Sequence, residues 1–209
     1  MNSTVRSTYR HGDLREALLA AGLEMARDGG PDAVVLREAT RRAGVSPNAA
    51  YRHFADRRTL LLAVSTAARA MAADHMKSAM AAFAPTGNAI TDARNGLRGA
   101  GLGYLAFARE QPGLFRTAFS VPGDLSNATA PVEAGVDGRT PLQLLGVVLD
   151  RLVEVGVLPP NRRAGAELLA WSSVHGLGML VIDGPLRGLS DQLVNVSIAR
   201  LLDMVERGL

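Results

Sequence analysis

Residues 35–58, VLREATRRAGVSPNAAYRHFADRR, crowd one helix stop and two helix starts into a short span. Gly44 can take the left-handed backbone conformation that ends a helix in a tight turn. Ser46 is a natural N-cap, and Pro47 sits at the first helical position, where its missing N–H costs nothing. Asp56 offers the same start to a further helix. The pattern predicts short helices over 36–43 and 47–53, joined by a turn, with a longer helix from 57. The inner face of the hairpin carries Ala50 and Phe54. Its outer face carries Asn48, Ala49, Tyr51 and Arg52, beside Arg37, Arg41 and Arg42 of the preceding helix and His53 near its tip. A helical hairpin with polar and basic tips has the shape that sets one helix into a DNA major groove while its neighbours hold phosphates.

Charge is placed to match. The chain carries 23 basic and 20 acidic residues, a net of +3. Residues 1–60 hold ten Arg against seven Asp and Glu, and residues 61–209 hold thirteen of each sign. The whole surplus therefore lies on the N-terminal quarter, where it favours a polyanionic partner. The other three quarters need a different task.

At 209 residues, with 47% hydrophobic content, the chain suits one small and one medium domain, each with a core. Cysteine is absent, which excludes disulfides and thiol-based metal or redox chemistry. No apolar run approaches the roughly 18 residues of a membrane span, and the start has no signal-peptide h-region, so a cytoplasmic protein without membrane contact is expected. Lys77 is the one lysine, which we read as codon bias.

The rest of the chain reads as helix. Residues 1–11 form a flexible basic arm with Arg6, Arg10 and His11. A first helix opens at Gly12-Asp13, with Asp13 as N-cap and Glu16 completing a capping box. Helices are predicted over 57–83, 89–110, from Pro112, 140–156, 163–182 and 190–207, with a mobile loop over 121–139. Gly96, Gly99 and Gly103 share one helix face, which suggests a close helix neighbour or room for a ligand. Trp171 and His175, four apart, share another. They are either core residues or the polar edge of an effector pocket that also draws on Leu102, Tyr104, Phe115, Phe119 and Met179. His75 is expected to be exposed. The two last helices carry more apolar surface than one thin domain can bury, so a homodimer is expected, with Leu193, Leu201, Leu202 and Val205 as interface candidates.

No pair of the four histidines has H-E-x-x-H spacing. There is no G-x-S-x-G elbow and no phosphate-cradling glycine loop. No catalytic, metal or cofactor site is expected. A ligand-independent architectural DNA-binding protein remains the alternative, although it would not need a glycine-dotted second domain.

GVSPNAAYRHFADRRTLL, with its Tyr51-x-His53-Phe54 step followed by Arg57 and Leu60-Leu61, resembles the TetR family of bacterial transcription regulators. The resemblance covers about residues 12–62. Trp171-Ser172-Ser173-Val174-His175-Gly176 is similar to the Trp-His-Gly segment of one subgroup of that family. This implies an all-α protein with a helix-turn-helix domain over 12–60 (the motif itself at 35–54) and a ligand-binding and dimerisation domain over 61–209. It implies DNA contacts from Ser46, Pro47, Asn48, Ala49 and Tyr51, with Tyr51 and His53 at phosphates and Arg57 in the place of a phosphate-gripping Lys. The implied partners are double-stranded DNA with a pseudo-palindromic operator, a small and mostly apolar effector, and a second copy of the chain. Repression is the family's usual mode. Three positions depart from the pattern. Val35 stands where a Thr or Ser cap is common, Thr40 where Ala is expected, and Arg58 where Glu is usual.

Overall fold

The computed structural model describes residues 11–120 and 138–209, with side chains from Leu14 onward. The predicted arm at 1–11, save His11, and the loop over 121–139, save its last two residues, lie outside the described residues. Nine α-helices and no strand are found among those described, so the chain is all-α. They are α1 (His11–Gly29), α2 (Leu36–Arg42), α3 (Pro47–Tyr51), α4 (Arg57–Ala81), α5 (Ala89–Glu110), α6 (Pro112–Ala118), α7 (Pro141–Glu154), α8 (Ala166–Ile182) and α9 (Asp191–Gly208).

Local chemistry sets most of these boundaries. Ser46 Oγ accepts from Ala49 N at the start of α3, and Pro47 follows. Asp56 and Thr59 form a reciprocal capping box at the start of α4. Thr140 and Gln143 do the same for α7. Gly44 has φ +66°, the left-handed turn that ends α2. Val35 gives α2 no side-chain cap, as its apolar side chain dictates. One start differs from the pattern. α1 already runs at His11, so Asp13 lies inside its first turn and is not the cap.

α1, α2 and α3 pack around Leu18, Met25, Val34, Leu36, Ala39, Ala50 and Phe54, all buried, and Leu60 and Val64 of α4 close this core. Thr40 is buried too; its hydroxyl donates to Leu36 O, 2.7 Å away, which lets it take a position where alanine was expected. α4 does not stop at residue 60. It continues as one helix into the C-terminal body, where it lies against α5. Glycines make that approach possible. A Cβ on Gly103 would overlap His75 O and Met76 Cα, and one on Gly99 would sit 2.7 Å from Met80 Cα. Gly96, on the same face, has open space, with nothing nearer than Val148 at 4.0 Å.

The short helix α6 touches both halves of the molecule. Gly113 lies against the backbone of Ala26 and Arg27 at the end of α1, too close for any side chain. Arg116 Nη1 donates to Asp183 Oδ1 at 2.6 Å, tying α6 to the end of α8. Ala118 O accepts from Ser65 Oγ and from Arg69 Nη1 of α4, at 3.0 and 3.1 Å. Arg69 has no carboxylate partner among the described residues; burial lowers its pKa, and its Nε makes no hydrogen bond.

Candidate nucleic-acid interface and effector cavity

The hairpin presents its outer face as its polarity requires. Asn48, Tyr51 and Arg52 are exposed, with Tyr51 51% accessible, while Ala50 and Phe54 are buried. Pro47 is exposed and Ala49 and His53 are half-buried. Ser46 is exposed, but its hydroxyl is committed to capping α3. Arg37 and Arg52 have no ion-pair partner among the described residues.

Arg41 and Arg42 share one carboxylate. Glu38 accepts from Arg41 Nε and Nη2 at 2.8 and 2.7 Å, and from Arg42 Nε at 2.9 Å. Hydrogen bonds from Arg41, then Arg42, hold its carboxyl down at about 2. Arg42 also lies 3.7 Å from Glu24 of α1. Arg57, expected to grip phosphate, is half exposed and also bonds the backbone. Its Nε donates to Val34 O and its Nη2 to Pro31 O, both at 2.8 Å. The guanidinium therefore staples the turn at Pro31–Ala33 to the start of α4. Spacing gave no sign of this, because the partners are more than twenty residues away.

In the body, an aromatic group forms around Tyr104. Trp171 Nε1 donates to the Tyr104 hydroxyl at 2.9 Å, and that hydroxyl lies 2.9 Å from His175 Nδ1. Indole N–H can only donate, so the Tyr104 proton is free to go to His175 Nδ1, leaving that imidazole neutral with its proton on Nε2. Burial pushes the Tyr104 phenol well above its usual range and lowers the His175 imidazole. Phe115 stacks on His175 with centroids 5.4 Å apart, and Phe119 meets it edge-on at 5.2 Å.

A cavity of about 40 Å³ opens beside this group, between α4, α5, α7, α8 and α9. Tyr104 and Trp171 line it, together with Met76, Leu97, Leu145, Val174 and Leu202. Five of the residues expected at a pocket are elsewhere. Phe115 is fully buried in the aromatic packing, His175 is satisfied by Tyr104, and Leu102, Phe119 and Met179 pack against the core. The volume admits one or two waters, far below the roughly 300–1,000 Å³ of a ligand site. His75, expected at the surface, is half-buried. Its ring lies 5.1 Å from Phe107, and its Nδ1 donates to Met71 O at 2.9 Å.

Leu202 and Val205 turn inward, at 5% and 7% exposure, and line the cavity. They therefore leave the predicted subunit interface, whereas Leu193 stays exposed at 53% and Leu201 is half-buried. Large apolar side chains do reach solvent on two adjacent helices: Leu169 and Leu180 on α8, and Leu193, Val196 and Met204 on α9. Leu169, Ser173, Gly176 and Leu180 follow one face of α8, and Leu193, Val196, Arg200 and Met204 one face of α9.

A helical hairpin with a basic outer face, carried on a larger helical body, defines a DNA-binding regulator of two parts. Residues 18–64 match a profile for bacterial regulatory proteins of the tetR family, and residues 97–205 match a tetracyclin repressor-like C-terminal domain. The chain belongs to the TetR family. A Rhodococcus protein of unknown function shares 26% identity over 98% of this chain and 99% of its own, with a TM-score of 0.72. TetR-family regulators from Pectobacterium atrosepticum (18% identity, 98% and 96% covered, TM-score 0.63) and Marinobacter aquaeolei (19%, 91% and 94%, 0.60) share the fold. No curated protein sequence matches at a significant level. Family membership marks a regulator, not an enzyme. Among the described residues, no helix is long and apolar enough to cross a membrane.

Proposed function

We propose that this protein is a homodimeric, effector-controlled repressor that acts in the cytoplasm on a pseudo-palindromic operator. The observation that carries the reading is the continuity of α4. One end of this helix closes the hairpin core through Leu60 and Val64, and Met76, four turns further on, forms part of the cavity wall. A ligand that widens the cavity against Met76 would press on the helix that carries the reading head. Residues 12–60 act as that head and 61–209 as the sensing and pairing body, with α4 shared between them. Trp171, His175 and Gly176 favour the Trp-His-Gly subgroup.

Asn48 and Arg52 read bases, since an amide suits adenine and a guanidinium suits guanine. Ser46, Pro47 and Ala49 line the approach to the groove. Tyr51, His53, Arg37 and Arg57 hold phosphates, Arg57 through the Nη1 that its backbone bonds leave over. Arg41 and Arg42 reach phosphate only by sharing or leaving Glu38. The exposed faces of α8 and α9 pair with their symmetry mates as a four-helix interface, giving half-sites about one DNA turn apart. At about 40 Å³ the cavity has to widen to admit an effector. An effector shifts the population toward an opened cavity, and only to the extent that it prefers that state.

The test is retention of the protein's own promoter fragment at low salt, followed by selection from randomised duplexes. Sequence-specific retention is expected, and Asn48→Ala should lose preference at one base position per half-site. Retention that is equal for all duplexes would favour the architectural alternative, and none at all would remove the reading.

A further inference from the structure

The polar groups around the cavity point to the chemistry of the effector, given the regulator reading above. The Tyr104 hydroxyl and the Trp171 N–H are already bonded, to each other and to His175. Arg98 and Glu206 remain, both lining the cavity where α5 meets α9. Each belongs to an ion-pair ladder between those helices. Arg94 Nε lies 3.2 Å from Glu206 Oε1, and Arg98 Nη1 lies 2.6 Å from Asp203 Oδ1.

Arg98 and Glu206 both keep unused polar atoms, since Glu206 accepts no hydrogen bond among the described residues, and the charge around them separates the two as partners for a ligand. Arg98 spends only Nη1 on Asp203; its Nε and Nη2 make no hydrogen bond among the described residues. The seam is also cationic. Arg94 pairs with Glu206 and Arg98 with Asp203, and Arg200 and Arg207 stand on the same stretch of α9, where Arg98 and then Arg207 help hold the Asp203 carboxyl below its usual value. Positive charge is in excess there. A cationic ligand would meet that excess, whereas a monoanion would cancel it. The remainder of the wall is apolar and would charge a buried, unpaired group a heavy desolvation cost.

We infer that the effector is an amphipathic monocarboxylate. Its hydrocarbon or aryl body enters between Leu97, Leu145, Trp171 and Val174, displacing the flexible Met76 and Leu202 side chains. Its carboxylate accepts from the unused N–H groups of Arg98 without requiring Asp203 to leave.

Trp171 is the one tryptophan in the chain, so its fluorescence reports occupancy. Octanoate, octan-1-ol and octylammonium are titrated into the full-length protein at neutral pH and low salt. Octanoate should bind about tenfold tighter than either relative. Arg98→Gln should reduce it to the alcohol's affinity, Arg98→Lys should keep part of the preference, and Glu206→Gln should tighten octanoate. Thermal melts verify that each variant is folded. Equal or tighter binding of the amine or the alcohol overturns the inference. So does octanoate binding indifferent to Arg98→Gln, or no response to any of the three compounds. Promoter retention on the same samples separates the two readings. DNA held by a protein that fails the octanoate test leaves the regulator and removes the carboxylate. Arg98-dependent octanoate binding without DNA retention does the reverse.

Discussion

Glu38 holds two arginines that a phosphate backbone would also attract. Binding to DNA must therefore compete with a carboxylate already in place on the same helix turn. Glu38→Gln releases both arginines and should raise affinity for random duplex, steepening its salt dependence by up to about two counterions. A filter-binding salt series measures this. The same residue carries a pH signature. Its folded pKa, about 2, is below its ordinary 4.5. Its contribution to α2 is therefore complete above pH 4.5 and disappears as pH falls toward 2. A carboxyl NMR titration should place its midpoint near the lower value, and Glu38→Gln should leave a stability profile flatter across that window. Arg57 acts by a different route. Arg57→Ala frees Pro31 O and Val34 O and should cost about 1 kcal/mol of stability in urea, besides any loss of DNA affinity. An unchanged melting curve would return Arg57 to the purely electrostatic role expected from its position.

At the level of the helix, the glycines of α5 give a contrast within one face. Gly103→Ala would drive a methyl into the α4 backbone and should cost about 1–3 kcal/mol or more. Gly96→Ala meets open space and should stabilise by up to about 1 kcal/mol. Chemical denaturation of the two variants, in opposite directions, is the expected outcome. The sequence pattern marked these glycines as a face but could not say which of them touched a neighbour, because that depends on where α4 crosses. The same boundary between near and far runs through the whole chain. Caps at Ser46 and Asp56 were legible because N-cap, proline and capping partner lie within four residues. The Glu38 pairs are equally local, since acid-to-arginine spacings of three and four are visible in the sequence. The Arg57 staple and the Trp171–Tyr104–His175 chain join residues 23 to 71 apart, and no local pattern encodes such meetings. Leu201 and Leu202 show the limit at its sharpest. Both belong to a broad apolar face, and only the packing of α9 on α5 decides that Leu202 is the one turned inward.

For the molecule as a whole, the uncovered stripe on α8 and α9 is the feature that a solitary chain leaves unexplained. Leu169 is 62% exposed, Met204 58% and Val196 50%, and apolar side chains aligned on two adjacent helices mark a surface suited to association. Leu169→Glu combined with Val196→Glu should give a folded monomer, since both positions lie outside the core. Leu202→Glu, by contrast, should unfold the body by burying a charge among apolar neighbours. Light scattering together with circular dichroism distinguishes these results. A dimer that survives the double substitution would move the contact to another surface.

The clasp made by α6 carries a lesson for anyone wishing to splice this protein. Gly113 sits directly on the last turn of α1, and Arg116 and Ala118 reach into the opposite half. The front end is thus bolted to the rear by a part encoded far downstream of it. A chimera that swaps only the first sixty residues would inherit a foreign socket, while one that exchanges α6 in the same step would keep the joint intact.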